Sequence, residues 1–151
     1  MAEQDNTRAL HHIQSLPSWL TGRVAARGRN LVARALAGEG LRLSQHAVLA
    51  AVAEHGPLAQ AELVRRLEID PKDVVGLLNE LGDKGLVQRR PDPRDRRKNA
   101  VSATPEGLAT LQRCAALADQ ANRELLTPLS AAERELLITL LRRLHHADQA
   151  Q

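Results

Sequence analysis

The sequence predicts a mainly α-helical domain with one small β hairpin, an α+β fold. The chain has 151 residues, 43% of them hydrophobic, which suits a single domain over residues 1–151 with a real core. Its only aromatic residue is Trp19, so the core must be built from Leu, Val, Ile and Ala. Strong helix formers dominate the composition, and only the segment between residues 86 and 103 has the character of strands.

The first helical pattern covers approximately residues 7–37. Its apolar residues keep one face apolar over many turns, and they are Leu10, Ile13, Leu16, Leu20, Val24, Leu31, Ala35 and Leu36. Pro17 cannot donate a hydrogen bond to the preceding turn. We therefore expect the helix to kink or restart at this proline.

Two shorter helices follow. Ser44 is expected to cap a helix that stops at Gly56-Pro57, because Gly and Pro end helical patterns. A short helix is then predicted from about residue 60 to residue 67.

The next helix has the clearest boundaries. Asp70 can cap it, Pro71 suits its first position, and Gly85 is a plausible stop. One apolar stripe runs along it, formed by Val74, Leu77, Leu78 and Leu81.

The hairpin and two more helices complete the chain. Residues 86–90 and 99–103 are short enough to be strands, joined by a loop rich in Pro and Asp. Thr104-Pro105 begins a helix that reaches about residue 127, and a capping box at residues 130–133 opens a leucine-rich final helix. Residues from approximately 42 to 103 thus have the layout of a winged helix-turn-helix, in which the second helix enters the major groove of DNA and the hairpin reaches the adjacent backbone or minor groove.

Positive charge is concentrated at this hairpin. Residues 89–104 hold six basic side chains against two aspartates, whereas the whole chain has a net charge of only +3, so the other residues together are slightly acidic. A local contact with a polyanion explains such a concentration. By charge alone, an ordinary solvated loop explains it equally well.

Residues 67–107, LEIDPKDVVGLLNELGDKGLVQRRPDPRDRRKNAVSATPEG, resemble the MarR family of winged-helix transcription regulators. The most specific parts are DKGLVQRRPDPRDRR and VSATPEG, and the helical order on both sides extends the resemblance over nearly the whole chain. It implies a cytoplasmic homodimer that binds a pseudo-palindromic operator in double-stranded DNA. Such regulators are commonly repressors, released by a small molecule, a metal or oxidation. The helices at approximately 7–37 and 104–147 would form the dimer.

The resemblance also assigns roles in the hairpin. Its pattern of an aspartate two residues before an arginine matches Asp95 and Arg97, where the carboxylate orients a guanidinium that enters the minor groove. The neighbouring Arg94, Arg96 and Lys98 are expected to contact phosphates. Arg89 and Arg90 lie at the base of the strand. They are expected either to contact phosphates as well or to brace the hairpin by pairing with Asp92.

The predicted recognition helix departs from the family pattern, which often has a Ser- or Thr-rich start and a basic residue near the middle. Lys72 is expected to contact a phosphate or guanine, and Asn79 to contact adenine, whereas Gly76 has no side chain to contact a base. Asp73 is better explained as a helix-start residue than as a base contact.

An effector site is predicted at Trp19 and Arg23, one helical turn apart, where an indole beside a guanidinium could hold a small aromatic or anionic ligand. Some family members that bind aromatic anions have a tryptophan on the first helix. The alternative is that Trp19 packs in the dimer interface.

Other chemistry has little support in the sequence. Neither histidine doublet, His11-His12 or His145-His146, makes a metal site alone, since adjacent helical residues point in different directions. Cys114 lies beside an apolar stripe, which favours a packed thiol over a redox switch. We expect no metal, no cofactor and no enzymatic activity, since glycine-rich phosphate loops, HExxH and nucleophile elbows are missing.

The sequence has no apolar run long enough to span a bilayer and no signal peptide, so no membrane contact is expected. Two alternatives to a ligand-responsive regulator stay open. One is a metal- or redox-sensing regulator of the same fold, and the other is a helical interaction module that does not bind DNA.

Overall fold

A computed structural model describes the backbone of residues 2–147 and the side chains of residues 8–147. Within that part the chain forms seven helices and one three-stranded antiparallel sheet. In chain order the elements are α1 (Ala2–Ser15), α2 (Pro17–Ala37), α3 (Leu43–His55), β1 (Leu58–Ala59), α4 (Gln60–Leu67), α5 (Pro71–Asp83), β2 (Val87–Pro91), β3 (Asn99–Ala103), α6 (Pro105–Leu125) and α7 (Ala131–Ala147). The mainly α-helical fold with a small hairpin is thus confirmed.

The predicted break at Pro17 is a restart. Leu16 is extended, with φ −70° and ψ 139°, and Pro17 takes the first position of α2. A residue before proline is pushed out of the helical region by the pyrrolidine ring, so the sequence itself separates α1 from α2.

The predicted cap of α3 is wrong by two residues. The helix begins at Leu43 with Arg42 as its N-cap, which places Ser44 inside the first turn. The backbone N–H of Arg42, which has no partner within the helix, donates to Gln45 Oε1 at 3.0 Å. A glutamine at the third helical position whose side chain accepts from the N-cap backbone N–H is one half of a capping box. In α3 this half forms although the N-cap residue has no hydroxyl group.

The predicted ends of α5 are confirmed. Asp70 Oδ1 accepts from the Lys72 backbone N at 2.8 Å, and Pro71 is the first helical residue. At the other end, Gly85 has φ +72°, and the following Leu86 N donates back to Leu81 O at 2.9 Å. This left-handed ending favours glycine and turns the chain directly into β2.

The hairpin is joined by a strand that the sequence analysis missed. The sheet order is β1-β3-β2, with Leu58 paired to Val101 and Arg89 paired to the same Val101 from the other side. The short β1 ties the region before α4 to the hairpin, so the hairpin is fixed to the helical core along one edge.

One core lies beneath this sheet, formed by apolar side chains from α2 through α6. Its largest fully buried members are Leu36, Leu49, Leu63, Leu78, Leu81, Val48, Val52, Val74, Val101 and Cys114. The stripe predicted on α5 is part of it, which fixes the orientation of that helix and leaves its opposite face in solvent.

The terminal helices are built differently. Helix α6 packs along α2, but no residue of α7 is buried. Large apolar side chains stay exposed along α1, α2 and α7 within residues 8–147, among them Leu10, Ile13, Leu20, Val24, Leu136, Leu140, Leu141 and Leu144. In residues 2–147, no helix has both the length and the apolar character needed to cross a membrane.

Candidate nucleic-acid interface

Helix α5 presents a polar face beside the hairpin. Its buried side anchors it to the core, while its solvent side carries Lys72, Asp73, Val75, Gly76, Asn79 and Glu80. No atom from a neighbouring element lies within 4 Å of a Cβ built at Gly76, so this position is open to solvent. Val75 was not singled out from the sequence, although its position outside the stripe of Val74 and Leu77 indicates exposure.

Asn79 is engaged with the hairpin. Its Oδ1 accepts from Arg89 Nη2 at 2.9 Å, which links the solvent face of α5 to the base of β2. The predicted pairing of Arg89 or Arg90 with Asp92 is wrong, because Arg90 Nη2 lies 3.3 Å from Gln88 Oε1 instead. The two arginines follow each other on a strand and point to opposite faces, so they meet different partners.

Asp92 instead organises the turn between the strands, which we call the wing loop (residues 92–98). It is only 5% exposed, and its Oδ1 accepts from the Arg94 backbone N at 2.9 Å. Its own backbone N donates to Lys98 O at 2.7 Å. These local bonds give the wing loop a defined shape, as expected of an aspartate that accepts from the backbone two residues on.

Arg94, predicted as a phosphate contact, is held by two carboxylates. Its Nη2 lies 3.5 Å from Glu62 Oε2, and its Nε lies 3.5 Å from Asp92 Oδ1. Glu62 also accepts from the Ala59 backbone N at 2.8 Å, and this hydrogen bond, aided by Arg94, lowers the pKa of the Glu62 carboxyl. Arg94 therefore ties the wing loop to the start of α4. No sequence signal marks this pair, because its members are far apart in the chain.

The wing tip has the geometry expected of Asp95 and Arg97. Asp95 Oδ1 accepts from the Arg97 backbone N at 3.1 Å and lies 3.7 Å from Arg97 Nε. The Arg97 side chain is 95% exposed. Its neighbours Arg96 and Lys98 are also exposed, and neither forms an ion pair with any described side chain. The tip thus offers three cations to solvent, one of them oriented by a carboxylate.

The predicted effector residues also lie together. The Arg23 guanidinium carbon is 5.6 Å from the centre of a Trp19 ring, and the Trp19 residue is 36% exposed. Beside them is an open groove between α2 and α6, lined by Arg23, Ala26, Arg27, Asn30, Leu31, Arg34 and Glu124. Three guanidinium groups around a groove next to an indole suit an aromatic anion.

Metal-binding groups are not brought together. Within the described residues, no cluster of three or more His, Cys, Asp or Glu side chains could hold a metal ion. His145 and His146 have ring centres 5.3 Å apart, but the pair has no third ligand there.

Cys114 is fully buried, and this burial raises the pKa of its thiol, with Glu39 adding to the effect. We expect the native protein to react with a thiol-specific reagent such as dithiobisnitrobenzoate only at the rate at which it unfolds, because the nucleophile is the thiolate. Rates in native buffer and in denaturant test this. Fast native labelling, or a change in function on peroxide treatment that Cys114→Ser abolishes, would contradict it.

An exposed helix beside a basic hairpin, both fixed to a helical core, defines a winged helix-turn-helix DNA-binding protein. The sequence comparisons give its family: the profile of the MarR family matches residues 39–98. The transcriptional repressor NicR of Pseudomonas putida is 36% identical over 105 residues, which are 70% of this chain and 66% of NicR. The match thus spans slightly less than two thirds of that relative.

Solved structures extend the likeness over most of the chain. Apo MarR from E. coli superposes with a TM-score of 0.76 at 27% identity, covering 85% of this chain and 96% of MarR. BpsR of Bordetella bronchiseptica, whose DNA binding is regulated by 6-hydroxynicotinic acid, superposes with a TM-score of 0.74 at 28% identity, covering 89% of this chain and 96% of BpsR. The chain belongs to the MarR family of transcriptional regulators.

Proposed function

We propose that this regulator is a homodimeric repressor that binds a pseudo-palindromic operator and is released by a small aromatic anion. The observation that carries the DNA-binding part is the wing tip, where Arg97 is almost fully exposed and oriented by Asp95 beside the exposed face of α5. Residues 42–103 would contact DNA, and residues 7–37 and 104–147 would form the dimer within one domain that covers residues 1–151.

The cations at this surface take separate roles in the proposal. Arg97 enters the minor groove, where the potential is strongly negative, and Arg96 and Lys98 meet phosphates. Lys72, at the exposed start of α5, contacts a phosphate or a guanine, and the Asn79 amide contacts adenine through the groups that Arg89 leaves available. Arg89, Arg90 and Arg94 brace the wing and contribute positive charge near the DNA backbone.

Dimerisation is supported by the apolar faces that one chain leaves uncovered. Leu136 is 57% exposed and Leu144 is 67% exposed, in a helix with no buried residue of its own. A second copy can cover this surface and that of α1. Two wings held in one dimer would also fix the spacing of two half-sites, which a pseudo-palindromic operator requires.

The effector is proposed from the groove beside Trp19 and from one relative. BpsR responds to 6-hydroxynicotinic acid, an aromatic carboxylic acid. In this chain the Trp19 indole would stack on such a ring, and Arg23, Arg27 or Arg34 would pair with the carboxylate.

The DNA-binding part of the proposal is tested by measuring the affinity of the protein for duplex DNA. Operator sequences are selected from random duplex DNA, and binding is measured by anisotropy at several salt concentrations. We expect sites with two related half-sites and an affinity that falls steeply with salt. Absence of salt-dependent binding to any duplex would overturn the proposal and favour an interaction module.

The effector is tested with a panel of aromatic acids that includes 6-hydroxynicotinate. We expect at least one acid to change Trp19 fluorescence and to release the DNA, and Arg23→Gln to weaken both effects about tenfold, as loss of one charge-assisted contact does. The single tryptophan makes the fluorescence signal unambiguous. Release by a chelator or by peroxide, with no response to any acid, would favour the metal- or redox-sensing alternative.

A further inference from the structure

Glu80 is an unexpected residue on the solvent face of α5. A carboxylate near the phosphates of DNA repels them, so Glu80 does not serve DNA binding by charge. Its Oε2 accepts two hydrogen bonds from outside α5, one from Arg42 Nη2 at 2.5 Å and one from Gln45 Nε2 at 2.6 Å. Both partners lie at the start of α3, so Glu80 joins the recognition helix to a different element.

The contact with Gln45 is shielded from solvent, and each polar atom of that side chain has one protein partner. Gln45 is only 4% exposed, and its Oε1 already accepts from the Arg42 backbone N at 3.0 Å. Its Nε2 donates to Glu80. Loss of the Glu80 carboxylate would leave this shielded amide without its acceptor, which is costly to a folded structure.

A second contact holds α5 to the same region. The Lys84 ammonium, at the C-cap of α5, donates to Gly40 O. Gly40 belongs to the junction loop (residues 38–42), which connects α2 to α3. Glu80 and Lys84 are one helical turn apart, so this end of α5 is fixed to the junction loop and the start of α3 at two successive turns.

The junction loop is also fixed to α6, on its other side. Arg113 Nε lies 3.0 Å from Glu39 Oε2, and Arg113 Nη2 lies 3.3 Å from Glu106 Oε1 and 3.1 Å from Thr110 Oγ1. The hydrogen bonds that Arg113 donates to the Glu39 and Glu106 carboxylates raise the pKa of its guanidinium. The five-residue junction loop thus contacts both helices. Glu39 pairs with α6, and Gly40 and Arg42 bond to α5.

We propose that Glu80 is a positioning residue for DNA binding, which holds α5 against the junction loop, and that Arg113 holds the same loop to α6. The inference rests on the proposed function, because it concerns how α5 is presented to DNA. It assigns a role to side chains that do not contact DNA themselves. A shift of α6 would reach α5 through residues 38–42.

The sign of one effect separates positioning from electrostatics. Glu80→Ala removes a negative charge near DNA, which by charge alone would tighten binding. Positioning predicts the opposite, with operator affinity weakened about three- to tenfold, the usual size for residues that act on a site through others. Glu80→Gln changes the charge equally but keeps an acceptor, so it should restore most of the affinity. Asp83→Ala is the matched control, with the same charge change on the same helix and no partner among the described side chains, and it should not weaken binding.

The role of Arg113, which holds the junction loop to α6, is tested separately. Arg113→Gln should weaken operator binding in the same direction as Glu80→Ala, whereas Arg123→Gln, an equal charge change on α6 at a side chain without an ion pair in the described residues, should not. Hydrogen exchange of the free protein provides a readout without DNA, and we expect faster exchange of the α5 amides after residue 76 in Glu80→Ala than in Asp83→Ala. Circular dichroism and light scattering verify that each variant is folded and has the wild-type mass.

Each result is decisive. Unchanged or tighter operator binding by Glu80→Ala, with wild-type exchange in α5, overturns the positioning role even if the wild type binds DNA well. Equal loss in Glu80→Ala and Glu80→Gln also overturns it, since the hydrogen bond would then be irrelevant. If Glu80→Ala does not fold, Glu80→Gln is compared with Asp83→Asn: positioning predicts the weaker operator binding for Glu80→Gln, and equal or tighter binding overturns the role. A wild-type protein that binds no duplex would overturn the proposed function and the role with it, and the exchange data would then report only whether Glu80 fixes α5.

Discussion

Replacing Leu136 and Leu140 together by glutamate is expected to separate the proposed dimer into monomers and to weaken operator binding by about 100-fold or more. These side chains are 57% and 42% exposed in one chain and lie one turn apart on the same side of α7. A carboxylate buried in an apolar interface without a partner is strongly unfavourable, so two on each chain should prevent association. A monomer binds one half-site only, and it loses the effective concentration that a linked second wing provides.

Light scattering and sedimentation measure the mass, and anisotropy measures the affinity for the operator and for an isolated half-site. His145→Glu is the matched control, because it adds the same charge to an exposed position of α7 on the opposite side of the helix from Leu136 and Leu140. Secondary structure should persist in the double variant, since α7 buries none of its residues in the single chain. A double variant that stays dimeric would show that α7 lies outside the interface.

Several helix boundaries, although not the start of α3, were predictable because they depend on neighbours in the sequence. Pro17, Asp70 and Thr104 act within a few residues of themselves, and the structure shows the restart, the Asp70 cap and the Thr104 hydroxyl accepting from Gly107 N at 3.0 Å. The predicted capping box is also present, with Glu133 N donating to Ser130 Oγ at 3.2 Å. Local hydrogen bonds of this kind need no tertiary information.

What the sequence did not indicate depends on distant partners. Strand β1 has only two residues, too few for an alternating pattern, and it exists because β3 offers a free edge. The pairing of Arg94 with Glu62 likewise arises from the fold, and it ties the wing loop to the start of α4. The contact between Asp95 and Arg97 was expected from the family resemblance, and it joins residues only two apart in the chain.

The second large effect is expected at the wing tip. Arg97→Ala should weaken operator binding about tenfold or more and make the plot of log affinity against log salt less steep by about one unit, while the dimer stays folded. The Arg97 side chain is 95% exposed and contributes little to the fold, so the loss should appear only with DNA. Arg123→Ala, which removes an equal charge from α6 at a distance from the wing, should leave both the affinity and the slope close to wild type.

Arg97→Lys separates charge from shape at the same position. A lysine keeps the charge, so the salt slope should return to wild type, but it lacks the planar guanidinium that pairs with Asp95. Affinity for operators with a narrow A·T-rich minor groove at the wing should therefore stay several-fold lower, while affinity for wider grooves recovers. Asp95→Ala should share this loss of groove preference with the guanidinium still present. If Arg97→Lys restored wild-type affinity on every operator, Arg97 would be a phosphate contact like Arg96, and its insertion into the minor groove would be refuted.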